Sequence, residues 1–308
     1  MANTWEKLHT RWLLAAMAAP LTQAASNCSW TAALTLVALG LGISWGLDRV
    51  QAGGTRWKIT GAIQWLWMLL VVAEFLHWIM LCWPGYSDYR GAPLILLVLS
   101  ALSAAKGEEN CARTGSVLLW IIAFLLGAVL ISGIKEIEWQ NLKPQWRMQT
   151  AYLSFVMLIP AMGTGMGTAK RNSLLTYGLL VSLVTTGVMS MPLIEKMHAP
   201  FYTMSESISF LGVGKRFESL AAVGMTLGYF TLVSYLLRVM AKAWEMGKSQ
   251  RRSVWISAVF CGLVFVSGMR LNSRLLTLGT LVIWVAIPAL EIISKKPKFP
   301  IDKSHSTW

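Results

Sequence analysis

The sequence predicts an all-α membrane protein with about ten transmembrane helices. Hydrophobic residues make up 55% of the 308 positions and charged residues only 13%, and the mean hydropathy is +0.55. A water-soluble domain carries about 25% charged residues, so much of this protein's surface must face something other than water. The apolar residues also fall into blocks, and several blocks approach the roughly 20 residues that span a bilayer as a helix.

Short polar stretches separate these blocks and divide the chain into ten predicted membrane segments. All of them belong to one polytopic membrane domain, residues 1–298, which is followed by a short cytoplasmic tail, residues 299–308. The predicted segments are 12–25, 30–47, 61–82, 92–105, 115–133, 151–168, 174–191, 217–239, 254–268 and 275–293.

The first of these segments is predicted to be short or broken. Residues 12–47 are apolar but too long for one crossing, and a polar stretch that begins at Pro20 divides them. Pro20 lacks a backbone N–H, and the polar side chains after it can satisfy the backbone groups left open. A helix over 12–25 would rise only about 21 Å, against roughly 30 Å for the bilayer core. We therefore expect a shortened first helix that packs against protein.

The net charge of +13 comes from basic residues that lie between the apolar blocks and at the chain ends. This is the pattern of cytoplasmic loops rather than of a nucleic-acid-binding surface, and it favours both termini in the cytoplasm. The four cysteines, Cys28, Cys82, Cys111 and Cys261, show no metal-binding spacing. The sequence contains no catalytic motif either, so we expect no metal ion, no cofactor and no enzyme activity.

Ionisable and helix-breaking residues inside the apolar blocks are candidates for function. Glu74 and His77 lie one helical turn apart, and they either line a polar pathway or satisfy each other inside the helix bundle. Pro160, Gly163 and Gly165 interrupt the sixth block, and in transporters unwound backbone at membrane depth contacts the substrate. The alternative is a kinked helix that packs through its small residues. With the first segment also interrupted, a transporter-like site is a reasonable hypothesis.

Two groups of short motifs, taken in order along the chain, resemble one known family. The first is G-x-E-x-x-x-R after an apolar helix, and the second is an external proline followed by R-x-E at the start of a span. The residues that carry these motifs are Gly107, Glu109, Arg113, Pro200, Arg216 and Glu218. In this order they resemble the endospore germination permease family, the B-type subunits of germinant receptors, within the amino acid/polyamine/organocation transporter superfamily. The resemblance extends over residues 10–293.

The resemblance implies a LeuT-like fold of two inverted five-helix repeats, with the first and sixth helices broken around a ligand site. It implies a subunit in the inner membrane of the spore that senses a small nutrient, such as an amino acid, and triggers germination. The implied partners are an A-type membrane subunit and a C-type lipoprotein, and the motif residues would act in structure or signalling. The expected ligand-binding residues are Pro20, Thr22, Gln23, Glu74, His77, Pro160, Gly163, Gly165, Ser219 and Gly224.

Two alternatives stay open, because the chain departs from the resembled family at two places. The first segment contains no glycine, and the stretch before the sixth segment is shorter than in that family. One alternative is a secondary transporter that couples an amino acid or amine to H⁺ or Na⁺, with Glu74 as the proton-linked group. The other is an assembly subunit that no longer binds a ligand.

Overall fold

The computed structural model describes residues 2–51, 58–82, 90–146, 168–197, 199–208, 217–243, 250–270, 273–287 and 290. Over these residues the protein is all-helical and contains no β-strand. The helices are α1 (Ala2–Ser26), α2 (Trp30–Gln51), α3 (Lys58–Leu81), α4 (Gly91–Ala105), α5 (Glu108–Ile134), α6 (Thr168–Val188), α7 (Met191–Ile194), α8 (Pro200–Ser207), α9 (Phe217–Ala243), α10 (Gln250–Val266) and α11 (Ser273–Leu281). A 3₁₀ turn at Trp139–Leu142 follows α5, and a π-helical stretch, Val282–Ala286, extends α11.

Within the described residues, three helices are long and apolar enough to cross a membrane, namely Gly61–Met80 within α3, the whole of α5 and the whole of α9. A helix of the length of α5 or α9 rises about 40 Å, which exceeds a bilayer core of roughly 30 Å. Shorter apolar helices are Trp30–Gly40, Gly91–Ala105 and Asn172–Val188. The molecule is therefore a helical, membrane-embedded protein, which confirms the class expected from its composition. The count of ten spans and the inverted repeat stay predictions.

Helix α1 corrects the prediction of a shortened or broken first helix. It is continuous over 25 residues, and Pro20 lies inside it. Proline removes one backbone hydrogen bond but fits the helical φ angle, and surrounding protein can compensate for the loss. In the turn around Pro20, the Thr22 hydroxyl donates to the carbonyl of Ala18 at 2.8 Å and accepts a hydrogen bond from Tyr177 of α6 at 2.6 Å. The helix also begins about ten residues before the apolar block. These first turns are polar and exposed, so hydropathy did not mark them as part of the helix.

Helix α1 is the centre of the described bundle. Between Trp12 and Ser29 every side chain is buried except Leu14 and Ala18, which are half-buried. A helix that is buried on all sides must be enclosed by other helices, and α1 packs against α5, α6 and α9. Gly228 of α9 permits a close approach, because a Cβ there would lie 2.5 Å from Ala19 Cβ. Small residues at such contacts let two membrane helices pack with their backbones close together.

Helices α4, α5 and α10 each expose large apolar side chains. Only 33% of the apolar window of α5 is buried, against 67% for the windows of α3 and α9. The large exposed side chains on these three helices include Ile95, Leu99, Trp120, Phe124, Val259 and Leu263. In a membrane-embedded protein such a surface contacts lipid, and α5 therefore lies at the edge of the bundle.

Candidate functional site

A small crevice lies where α1 ends, beneath the short helix α8 and beside the first turns of α9. Its volume is about 10 Å³, which is enough for one water molecule. One lining residue comes from α1 and one from the end of α3, and the others come from α8, the residue before it and α9. The lining residues are Gln23, Cys82, Ala199, Phe201, Tyr202, Ala221 and Met225.

Gln23 brings a polar group to the crevice from the last turn of α1. The side chain is 2% exposed, so it lies well inside the protein. Its backbone carbonyl accepts hydrogen bonds from the side chains of Ser26, at 3.1 Å, and Asn27, at 2.7 Å. The carbonyls in the final turn of a helix have no backbone N–H to accept from, and these two side-chain hydrogen bonds satisfy one of them. They therefore stabilise the end of α1. Gln23 is therefore held on a rigid, buried support.

Helix α8 covers the crevice. Pro200 occupies its first turn, a position where proline's fixed φ angle suits a helix and its missing N–H costs nothing. Phe201 and Met204 are fully buried on the inner side, whereas Tyr202 is half-buried at the crevice. Burial raises the pKa of Tyr202, and the negative charges of Glu206 and Glu218 raise it further. The phenol therefore lies close to two carboxylates and stays protonated.

The first turns of α9 form the opposite wall. Ala221 and Met225 line the crevice, and Glu218 lies one turn before Ala221 on the same face of the helix. The Glu218 Oε2 atom is buried and has no hydrogen-bond partner in the part of the chain that the structure describes. A glutamate in the first turn of a helix is favoured by the helix dipole. A buried oxygen without a donor is not explained by that dipole alone.

The structure divides the expected ligand-binding residues of α1 and α9 into two groups. Gln23 lines the crevice, whereas Thr22 is turned towards Tyr177 of α6. Pro20 is buried within α1. On α9, Ser219 is exposed, and Gly224 packs against Leu126 of α5. The face of α9 that lines the crevice is therefore the one that carries Ala221 and Met225, and not the one that the sequence predicted from Ser219 and Gly224.

Glu74 and His77 of α3 lie outside the crevice lining, and each has a partner of its own. The indole N–H of Trp78 donates to Glu74 Oε1 at 3.1 Å. His77 Nδ1 donates to the carbonyl of Ala73 at 2.8 Å, and the imidazole packs against Phe265 with 4.7 Å between ring centroids. These contacts are what a structural pair inside a bundle requires. They do not bring the two side chains to the polar end of α1.

Four expected residues cannot be placed relative to the crevice. Pro160, Gly163 and Gly165 of the sixth predicted segment lie outside the described residues, and so does Arg216. Of that segment only residue 168 is described, as the first residue of α6.

At the opposite end of α1 and α9, three helices meet at Glu108, the first residue of α5. Lys242 Nζ of α9 lies 2.6 Å from Glu108 Oε2, and His9 Nε2 of α1 lies 3.7 Å from Glu108 Oε1. We call these three residues the Glu108 junction. Gly107 precedes it with a φ of 108°, a backbone conformation that favours glycine. The junction therefore ties together the three helices that form the centre of the bundle.

The sequence motif pointed to the neighbouring glutamate instead. Glu109 does form the expected ion pair with Arg113, but both side chains are more than 60% exposed. An exposed pair of this kind contributes little to stability. No sequence signal distinguishes Glu108 from Glu109, because only the rotation of α5 about its axis turns one inwards and the other outwards.

The crevice combines apolar walls with a few polar side chains. It offers an amide, a phenol, a thiol and a nearby carboxylate on rigid helices. In the described part of the chain, no three His, Cys, Asp or Glu side chains come together as metal ligands. No family model matches the chain, and no curated protein matches it.

Proposed function

We propose that this protein is the permease-like B-type subunit of a spore germinant receptor, which senses a small nutrient in the spore inner membrane. One observation carries the proposal. Helices α1 and α9 run antiparallel, with the crevice at one end of the pair and the Glu108 junction at the other. Gln23 and His9 lie about 20 Å apart along α1. One rigid helix therefore connects the crevice to the Glu108 junction.

The crevice supports a receptor role because its roof is a separate short helix. A nutrient larger than one water molecule fits only if α8 moves outwards or α1 shifts against α9. Two such arrangements with different ligand affinity form a two-state element, and the ligand then shifts their populations. A packed core responds by discrete repacking rather than by smooth deformation.

The Glu108 junction supports the transmission of such a shift. It joins the ends of α1, α5 and α9, so a displacement of α1 along α9 changes the distance between His9, Glu108 and Lys242. The exposed Glu109–Arg113 pair begins at the next residue of α5, where an A-type membrane subunit could contact it. The α8 side of the molecule would then face the arriving nutrient and the C-type lipoprotein.

Germination of purified spores tests the proposal. Deleting the gene should abolish or slow germination with one nutrient among single amino acids and sugars, and the wild-type gene should restore it. The Ala221→Leu variant, which fills the crevice, should respond less while the protein level stays normal. Unchanged germination with every nutrient after deletion would overturn the proposal.

A second candidate is a Na⁺-coupled secondary transporter of an amino acid or amine. It is favoured by buried neutral oxygen atoms on α6 and at the end of α1. Ser182 donates to the carbonyl of Cys28 at 2.8 Å, and Thr185 and Thr186 follow on the same side of α6. Both threonine hydroxyls and the Asn27 Oδ1 atom are buried without a hydrogen-bond partner in the described residues. Hard neutral oxygens are the ligands that alkali cations prefer.

Uptake of labelled amino acids into proteoliposomes distinguishes this candidate from the receptor. A transporter would show uptake that requires a Na⁺ gradient and falls in the Thr185→Val variant. A proton-coupled transporter would instead lose uptake in the Glu74→Gln variant. An assembly subunit without a ligand would co-purify with an A-type subunit and show no change in thermal stability with any nutrient.

A further inference from the structure

The segment that follows α5, residues 135–146, exposes two large aromatic side chains. Trp139 is 81% exposed and Trp146 is 60% exposed. Tryptophan is highly buried on average in water-soluble proteins, because the indole ring is large and mostly apolar. Membrane proteins instead place many tryptophans at the boundary between lipid and water, where the ring contacts lipid and the N–H reaches polar groups. The surroundings of the segment show which of these environments it meets.

The first part of the segment is fixed to the end of α6. The Glu138 N–H and the Asn141 side chain both donate to the carbonyl of Gly187, at 3.0 and 3.2 Å. Ile137 packs at the same place, because a Cβ on Gly187 would lie 2.9 Å from its side chain. The carbonyls in the last turn of a helix lack intrahelical donors, and this segment supplies two donors to one of them.

The second part of the segment is fixed to the start of α2. The indole N–H of Trp30 donates to the carbonyl of Leu142 at 3.0 Å. The hydroxyl groups of Ser29 and Thr31 both donate to the carbonyl of Gln145. Residues 135–146, which we call the strap, therefore run from the end of α5 past the end of α6 to the start of α2. Their backbone is held at both contacts.

The strap lies level with the boundary of the hydrocarbon core. The apolar part of α5 from Gly115 to Ile134 rises about 30 Å, which matches the thickness of a bilayer core. Ile131 and Ile134, near the end of this part, are 66% and 49% exposed, as expected for side chains that contact lipid. The charged residue Lys135 follows at once, and Trp139 comes one turn later. The bilayer that contacts the end of α5 therefore reaches the strap.

The charges of the strap give it no preference for a charged partner. Lys135 and Lys143 balance Glu136 and Glu138, so the formal charge of the strap is zero. Attraction to an acidic or a basic surface is therefore weak, and the two indole rings supply most of the area available for contact.

We propose that the strap is an interfacial membrane anchor, with the Trp139 and Trp146 side chains inserted among the lipid headgroups at the membrane face where α5 and α6 end. The partner is the lipid surface itself, and a zwitterionic bilayer is sufficient. The strap also holds Ser29, which lies just beyond the end of α1, so it fixes that end of α1 at a defined depth. The inference does not depend on the receptor role.

A fluorescent label at each tryptophan position tests where the strap lies. The four native cysteines are buried, so Trp139→Cys and Trp146→Cys each provide an accessible thiol for a nitrobenzoxadiazole dye, with wild-type protein as the labelling blank. In phosphatidylcholine nanodiscs, a lipid with a nitroxide on its headgroup should quench both labels, and iodide in the water should quench them weakly. Phe124→Cys, at a side chain of α5 that is 72% exposed, is the matched control. Its label should be quenched best by a nitroxide deep in the acyl chain.

Amide hydrogen exchange of the strap in the same nanodiscs tests whether the tryptophans hold it in place. The combined Trp139→Ser and Trp146→Ser variant should exchange its strap amides about tenfold faster or more, because two large apolar side chains no longer gain by leaving water. Gln140→Ser is the matched control, since Gln140 is an exposed polar residue of the same strap, and its exchange should equal that of wild type.

Each measurement has an outcome that would overturn the anchor. Labels that iodide quenches fully and that the headgroup nitroxide does not quench would place both tryptophan positions in water. Unchanged exchange in the double variant would show that the tryptophans do not hold the strap. Replacing part of the phosphatidylcholine by phosphatidylglycerol should change neither result, and a requirement for the anionic lipid would contradict insertion of a neutral strap. None of these outcomes alters the germination test, so they judge the anchor separately from the receptor role.

Discussion

The contact between α1 and α9 can be tested at Gly228, where no side chain fits. A Cβ at this position would lie 2.5 Å from the Cβ of Ala19, 3.1 Å from its backbone nitrogen and 3.3 Å from its Cα. Two of these three atoms belong to the backbone of a helix that is enclosed by other helices. Relief would therefore require the whole of α1 to move, since no rotamer change can remove the overlap.

The Gly228→Ala variant should accordingly have a lower free energy of unfolding than wild type. Overpacking a close-packed interior costs about 1–3 kcal/mol, whereas replacing glycine by alanine within a helix gains up to about 1 kcal/mol. Subtracting a gain of about 1 kcal/mol leaves a net loss of up to about 2 kcal/mol. The matched control is Gly127→Ala in α5, because a Cβ there would have no atom within 4 Å. That variant should be more stable than wild type by about 0.5–1 kcal/mol.

Equilibrium unfolding in the same detergent, followed by circular dichroism, measures both differences against wild type. The difference between the two variants removes the common effect of helix propensity and isolates the contact between α1 and α9. If Gly228→Ala proved as stable as Gly127→Ala, the two helices would not approach each other as closely as described. The transmission of a shift along this helix pair would then lose its physical basis.

Three further predictions concern other contacts; the first two are measured in the same unfolding assay and the third by germination. Glu108→Gln should lower the free energy of unfolding by about 1 kcal/mol, because it weakens contacts to two helices. Glu109→Gln loses only an exposed ion pair and should lower it by about 0.3–0.5 kcal/mol. Equal effects would contradict the Glu108 junction. Thr22→Val and Tyr177→Phe should each destabilise the protein, and a double-mutant cycle should give a coupling of about 1 kcal/mol, with zero coupling refuting the hydrogen bond. Glu218→Ala should impair germination while total protein stays normal, and a wild-type response would reduce Glu218 to a headgroup contact.

The positions of several helices follow from the apolar blocks alone. Helix α4 begins one residue before its block and ends with it at residue 105, and α9 begins at Phe217, where its block begins. Glycine, proline and charged residues punctuate these blocks, so hydropathy locates their ends well. Hydropathy fails for α1, because its first turns are polar and exposed and still continue the same helix. The polar residues near its end indicated a break, yet their side chains bond to the helix itself and to a neighbouring helix.

The crevice could be predicted only in part. Gln23 is conspicuous in the sequence because a polar amide inside an apolar block needs a partner or a function. Ala221, Met225 and Phe201 carry no such signal, since apolar residues occur on every face of these helices. Which of them line a space depends on how far each helix is rotated about its axis and on how its neighbours pack. Rotation of this kind is set by tertiary contacts and leaves no periodic trace in a helix that is apolar on all sides.

The enclosed position of α1 has a consequence for how the protein is made. This helix precedes in the chain the helices that surround it, α5, α6 and α9, so it is synthesised before them. Until they arrive, the polar side chains at its end would meet lipid, where unpaired polar groups are costly. The side chains concerned are Thr22, Gln23, Ser26, Asn27 and Ser29. We therefore expect the insertion machinery to shield the end of α1 from lipid until α9 has been synthesised, and we expect a chain truncated before α9 to hold α1 less stably in the membrane.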